Sequence, residues 1–409
     1  MSKITASSEA TSAAPSHYDF AKSNIVKLTI AQALAGANSV VIYSTGAIVG
    51  NSLAPSPALA TLPISVFVVG MAVATLPTGA AVQRYGRRAA FLSGTGCGVL
   101  VGLLSALAVV LGSFWLFCTA TLLGGAYAAV VLTFRFAAAD CVPPEQAPRA
   151  LSFVMVGGVF AGVIGPQLVN HTMHIGMPHM FAVTFLAQAA VAALSALLLV
   201  GVRLPATTTA EATTSGRPLG VIIRQPRFLT AVICGIVSYL LMNFLMTAAP
   251  LAMHLHGHPQ ESSNLAIQWH VIAMYAPSFF TGRIIARFGA RSVVMTGLLL
   301  TGVSAVVGLL GVDVAHFWIT LILLGVGWNF GFVGASALVL ECYRPGEKAR
   351  VQSFNDFAVF GTMAFGSFLS GGLLSAYGWG TVLWLSFLPL MLAVFTLAAT
   401  YVRRTGSLQ

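Results

Sequence analysis

Apolar stretches of about 20 residues, the length of helix that spans a hydrocarbon core about 30 Å thick, recur along nearly the whole chain and alternate with short polar segments. Twelve such stretches predict transmembrane helices at 27–50, 58–82, 89–111, 115–139, 150–171, 180–201, 228–253, 264–286, 292–311, 316–340, 351–376 and 379–402. The expected fold class is therefore an all-α integral membrane protein. Ahead of the first stretch, a segment rich in Ser, Thr and Ala has no apolar core; it reads as a disordered cytoplasmic tail over 1–21 rather than a signal peptide.

The polar segments orient the helices, because basic loops stay on the cytoplasmic side. All 20 Lys and Arg residues fall at one set of helix ends: around Lys22 and Lys27, Arg84 to Arg88, Arg135 to Arg149, Arg203 to Arg227, Arg283 to Arg291, Arg344 to Arg350, and Arg403 with Arg404. With twelve spans both termini are then cytoplasmic. Only 7% of the 409 residues are charged and 57% are hydrophobic, which excludes a water-soluble globule. The net charge of +10 is a topology signal and an attraction to anionic lipid, so the bilayer is an expected partner and nucleic acid is not.

The chain repeats itself. "TGAAVQRYGRR" (78–88) matches "TGRIIARFGAR" (281–291) at an offset of 203, pairing Arg84 with Arg287 and Gly86 with Gly289. "DCVPPEQAPRALSF" (140–153) matches "ECYRPGEKARVQSF" (341–354) at 201, pairing Asp140 with Glu341 and Cys141 with Cys342. Two parallel six-helix halves joined by a polar segment are how one large class of secondary transporters is built. On these residues the chain resembles the major facilitator superfamily over 22–404. The implied organisation is a six-helix bundle over 22–203, a cytoplasmic linker over 204–226, a second bundle over 227–404 and a tail over 405–409. Gly79, Arg84, Gly86, Arg87 and Arg88 fit that family's loop motif. Its usual Asp position holds Gln83 here and Ala286 in the second half, so a latch built on that Asp is not expected.

No nucleotide-binding loop, nucleophile elbow or Cys-x-x-Cys occurs, so the expected protein is a carrier driven by gradients, not an enzyme, and has no cofactor. Asp140 and Glu341, at cytoplasmic helix ends among arginines, read as gate ion pairs; Asp356, beside Asn355, is the better candidate for a titrating group. Histidine and methionine crowd the outer side, with His171, His174 and His179 in one segment and His254, His256 and His258 in another. Imidazole and thioether are ligands for soft or borderline cations, so these residues are a candidate collecting surface.

Within the membrane, "LLMNFLM" (240–246) places Met242 and Met246 four apart, and "QWHVIAM" (268–274) does the same for His270 and Met274. Pairs at i and i+4 share a helix face. At about 1.5 Å per residue, Met242 stands roughly 22 Å above Arg227 and His270 roughly 20 Å above Arg283, so these two are level; with Met246 one turn further out and Met274 one turn further in, the four are expected to form a ladder. Met-x-x-x-Met followed one helix later by His-x-x-x-Met is similar to the CcoA-like copper importers, a group with flavin-importing relatives. That resemblance implies that Met242, Met246, His270 and Met274 bind copper as transported substrate, supplied by an unknown donor or chaperone and used in respiratory oxidase assembly. Cys234, two turns below Met242, is then a candidate exit ligand. The expectation is a monomeric, multi-pass copper importer of the inner membrane. Two rivals stand beside it: an importer of riboflavin or another aromatic molecule, with Trp269, Trp328, Asn329 and Phe330 lining a stacking pocket, and a membrane-embedded copper enzyme or sensor.

Overall fold

A computed structural model describes residues 20–143, 146–202, 204, 217–344 and 347–406; nearly all of the expected tail and most of the linker lie outside the described residues. Helices follow in the order α1 (Ala21–Leu53), α2 (Leu62–Leu111), α3 (Phe114–Val131), α4 (Phe134–Ala139), α5 (Ala147–Thr172), α6 (Ala182–Val200) and α7 (Leu219–Ile223). The second half continues with α8 (Pro226–Leu255), α9 (Gln260–Tyr275), α10 (Ser278–Phe288), α11 (Ala290–Leu310), α12 (Val314–Trp328), α13 (Gly334–Leu340) and α14 (Lys348–Gly406). A π-helical turn, Asn329–Val333, joins α12 to α13.

Two backbone features convert this list into twelve spans. Among the described residues, ten helical segments are long and apolar enough to cross a membrane. One of them, α14, reverses at Gly378 (φ 78°, ψ 176°) and supplies two spans. Another span is broken into α9 and α10 at Ala276 and Pro277, because Pro277 has no N–H to continue the helical ladder. The twelve spans expected from the sequence are present.

The repeat is visible in the backbone and in what the repeated residues do. Gly86, inside α2, and Gly289, after α10, both have φ 81°, a left-handed value that glycine adopts without a Cβ clash. Just before each, an arginine lies over the following ring: Arg84 over Tyr85 at 5.4 Å and Arg287 over Phe288 at 5.3 Å. Cys141 donates to the Ala137 carbonyl (3.2 Å), and Cys342 to the Leu338 carbonyl (3.3 Å). These thiols close the last helical turn at equivalent places in the two halves.

Among the described residues, the Arg–carboxylate ion pairs on the cytoplasmic side each lie within one half or between it and the connecting segment. Arg87 pairs with Asp140, from α2 to the residue after α4. Glu341 is exposed beside a cleft that Arg227 and Arg291 also line. Arg217, in the connecting segment, pairs with Glu347 at 2.8 Å, and Glu347 is 1% exposed. The Arg217 guanidinium and the backbone N–H groups of Arg344 and Arg217 hold the Glu347 carboxyl well below the usual carboxylate range. A carboxyl depressed in this way contributes stability that is full above its unfolded pKa and is lost only as pH falls toward the folded value. Glu347→Gln is therefore expected to lower the melting temperature in detergent at pH 7, and the gap from wild type should shrink below about pH 4, near the reference glutamate pKa. A gap independent of pH would show that Glu347 acts by packing alone.

Candidate functional site

The two halves meet closely on the periplasmic side. Gln167 donates to Gln268 (2.9 Å), Asn264 to Asn170 (2.5 Å), and Gln260 to the Ser44 carbonyl (3.2 Å). Ser65 donates to Ser367 at 3.1 Å. Gly371 lies so near Thr61 that a Cβ added to it would stand 1.6 Å from Thr61 Oγ1. Side-chain bonds thus join the two halves at the periplasmic ends of their helices.

Between the two halves lies a cavity of about 120 Å³. It takes residues from both halves: α1, α2, the α3 end and α5 on one side, α8 and α9 on the other. None of its lining residues among those described is Asp, Glu, Lys, Arg or His. A lining that is uncharged and rich in aromatic and methionine side chains suits a small organic molecule. Tyr43, Phe67, Tyr239 and Tyr275 supply aromatic wall.

Behind that wall is a box of rings. Tyr239 meets Trp328 (5.4 Å), Phe332 (4.9 Å) and Phe360 (5.6 Å), all near-perpendicular, and Trp328 stacks on Phe332 at 5.5 Å and 14°. Edge-to-face contacts of this kind fix ring orientation. Tyr275 adds its edge to Trp328 at 6.1 Å. Two buried donors beside the cavity, Asn243 Nδ2 and Trp328 Nε1, have no partner among the described residues. Asn243 Oδ1 accepts from the Tyr43 hydroxyl at 2.8 Å, which ties α1 to α8.

The ladder expected from the sequence does not close. Met242, Met246 and Met274 do line the cavity together. His270 is fully buried and outside the lining, and it donates from Nδ1 to the Leu321 carbonyl of α12 at 2.6 Å. The imidazole is thereby turned to the α9–α12 interface. The outer histidines are likewise occupied or apart. His171 donates to Gln167 O (2.7 Å), His256 to Ala252 O (2.7 Å) and His258 to Val312 O (2.6 Å). His174 lies 3.8 Å from Glu261, while His179 and His254 are exposed. Among the described residues, no three His, Cys, Asp or Glu side chains converge on a point. Cys234 is buried against Ala393, in a packing cluster away from the cavity. Asp356 accepts from Asn355 at 3.2 Å.

Of the four residues proposed for a stacking pocket, only Trp328 belongs to the ring box. Trp269 is 44% exposed, on the outside. Asn329 has a structural post: it donates to the Met274 carbonyl and to Ser278 Oγ and accepts from Thr281, each at 2.7 Å. These bonds staple the Pro277 break in place. Phe330 is half-buried. Sequence reasoning missed Tyr239, Tyr275 and Tyr43, and also Gln32 and Ser39, which line the cavity from α1. The available signal was the occurrence of polar and tyrosine residues in mid-span, where nothing but function or a partner keeps them.

A bundle of two repeated halves, joined at the periplasmic ends of their helices around a central cavity lined by both, has the form of a secondary transporter. The sequence pattern of the Major Facilitator Superfamily matches residues 28–267 and 231–408. This chain belongs to the major facilitator superfamily. It is 47% identical over 369 residues to the riboflavin transporter RfnT of Brucella anthropi, covering 90% of this chain and 93% of that one. It is 30% identical to the MFS-type transporter YddS of Bacillus subtilis, covering 94% and 92%. In fold it is similar to the xylose transporter XylE from E. coli in a partially occluded inward-open conformation (TM-score 0.70, 14% identity, 92% and 96% covered). It is also similar to the human organic anion transporter MFSD10 (TM-score 0.68, 15% identity, 92% and 99% covered).

The riboflavin-transporting relative overturns the expectation of copper import. Its likeness spans nearly the whole chain, whereas the copper reading rested on four residues in two helices. The correction has a physical side: thioethers at helix spacing also serve as flexible, polarizable wall around an apolar ligand.

Proposed function

We propose that this protein carries riboflavin, or a closely similar flavin, across the inner membrane into the cytoplasm by alternating access. The observation that carries the reading is the cavity lining itself: uncharged, aromatic and rich in methionine, drawn from both halves. A tricyclic flavin ring is flat, neutral and polarizable, so it gains from stacking on tyrosine and from sulfur contacts with Met242, Met246 and Met274. Its dione edge offers carbonyl acceptors, the complement of unpartnered donors such as Asn243 Nδ2. The relative from Brucella anthropi supports the same substrate class.

Flavin fluorescence is quenched when the ring stacks on an aromatic side chain, so titrating riboflavin with the detergent-purified protein tests the proposal. Saturable quenching at micromolar protein is the expected result; fluorescence unchanged by folded protein would remove the reading. Met242→Leu separates it from any ligand role for sulfur. The swap conserves volume, so binding should stay within about threefold of wild type. Loss of more than tenfold would assign the sulfur a direct part.

A further inference from the structure

The cavity has two unlike walls, and that difference bears on how a flavin would lie in it. On α1, Gln32, Gly36, Ser39 and Tyr43 line the cavity. Their spacing of i, i+4, i+7 and i+11 is one helix face. Between Ala35 and Ser44, Gly36, Ser39 and Tyr43 are partly exposed and the other residues are buried. Neither the Gln32 amide nor the Ser39 hydroxyl makes a hydrogen bond among the described residues. Facing them, α8 and α9 present Met242, Met246, Val271 and Met274 with the rings of Tyr239 and Tyr275.

Riboflavin is similarly divided. One part is a flat ring system and the other a flexible chain of hydroxyls, each both donor and acceptor. On α1 an amide and a hydroxyl stand ready for a polyol, whereas the α8–α9 wall of Met242, Met246, Val271 and Met274 offers only the hydroxyls of Tyr239 and Tyr275 in exchange for lost water. We infer that the ring lies against the α8–α9 wall and the polyhydroxyl chain runs along α1, with Gln32 and Ser39 as the residues that select for that chain. The inference rests on the flavin reading and adds to it an orientation and a specificity.

The probes are riboflavin and lumiflavin, which has the same ring with a methyl group in place of the polyol. Fluorescence-quenching titrations of wild type, Gln32→Ala, Ser39→Ala and the double variant would give the affinities. Each single substitution should weaken riboflavin about three- to tenfold, the range for one neutral hydrogen bond, and leave lumiflavin within about twofold. Wild type should prefer riboflavin, and the double variant should have lost most of that preference. Equal loss for both ligands, or no loss for either, would overturn the orientation while leaving the flavin site standing. Wild-type protein that binds neither flavin overturns the site and the orientation together. Lumiflavin binding by the variants also shows that they are folded, so a collapsed protein cannot imitate the expected result.

Discussion

Riboflavin binding is expected to weaken roughly 30- to 150-fold in Tyr239→Ala and to change less than about threefold in Tyr239→Phe. Tyr239 lines the cavity and is held by Trp328, Phe332 and Phe360 at 4.9 to 5.6 Å between centroids. It therefore presents a ring whose orientation is set before the ligand arrives, and little entropy is lost on binding. Removing the ring withdraws on the order of 100 Å² of apolar contact, worth about 2 to 3 kcal/mol with the stacking contribution included. Phenylalanine keeps the ring and its three neighbours, so the hydroxyl is the only loss. A Phe variant as weak as the Ala variant would mean that the hydroxyl, not the stack, holds the ligand.

Gly371→Ala should cut riboflavin uptake by about tenfold or more while the protein remains in the membrane. The added Cβ would lie 1.6 Å from Thr61 Oγ1 and 2.7 Å from Thr61 Cβ, and such contacts force the periplasmic ends of α2 and α14 apart. The clash is made in the state that this structure holds, so the substitution is expected to disfavour that state and bias the carrier away from it. In a helix, alanine is better than glycine by about 1 kcal/mol, so a loss cannot be put down to a weakened helix. All three atoms nearest the added Cβ belong to the Thr61 side chain, and Thr61→Gly removes them. The double variant should recover much of the uptake; a double variant as dead as the single would place the fault elsewhere.

The fold was legible because it is dictated by elementary quantities. Twenty apolar residues match a bilayer, basic residues mark one side, and the offset of about 200 between "QRYGRR" and "ARFGAR" marks two halves. In the structure Gly86 and Gly289 then share one φ of 81°, because the same turn is built twice. The site was only partly legible. Spacing at i and i+4 correctly placed Met242, Met246 and Met274 in the cavity, since helix geometry alone decides which residues share a face. It could not decide which way the imidazole of His270 turns, because that depends on a carbonyl 51 residues further on, at Leu321. Nor does a methionine declare whether its sulfur meets a metal or a ring. The aromatic box joins Tyr239, Trp328, Phe332 and Phe360 from three separate spans, and no local pattern in the sequence brings them together.

Uptake of labelled riboflavin by cells that need external riboflavin and express this protein tests the central claim most directly. The expected result is saturable accumulation well above cells carrying no transporter, strongly reduced by Tyr239→Ala and indifferent to a copper chelator. Accumulation no greater than in cells without the protein, with the wild-type chain present and folded in the inner membrane, would contradict the account.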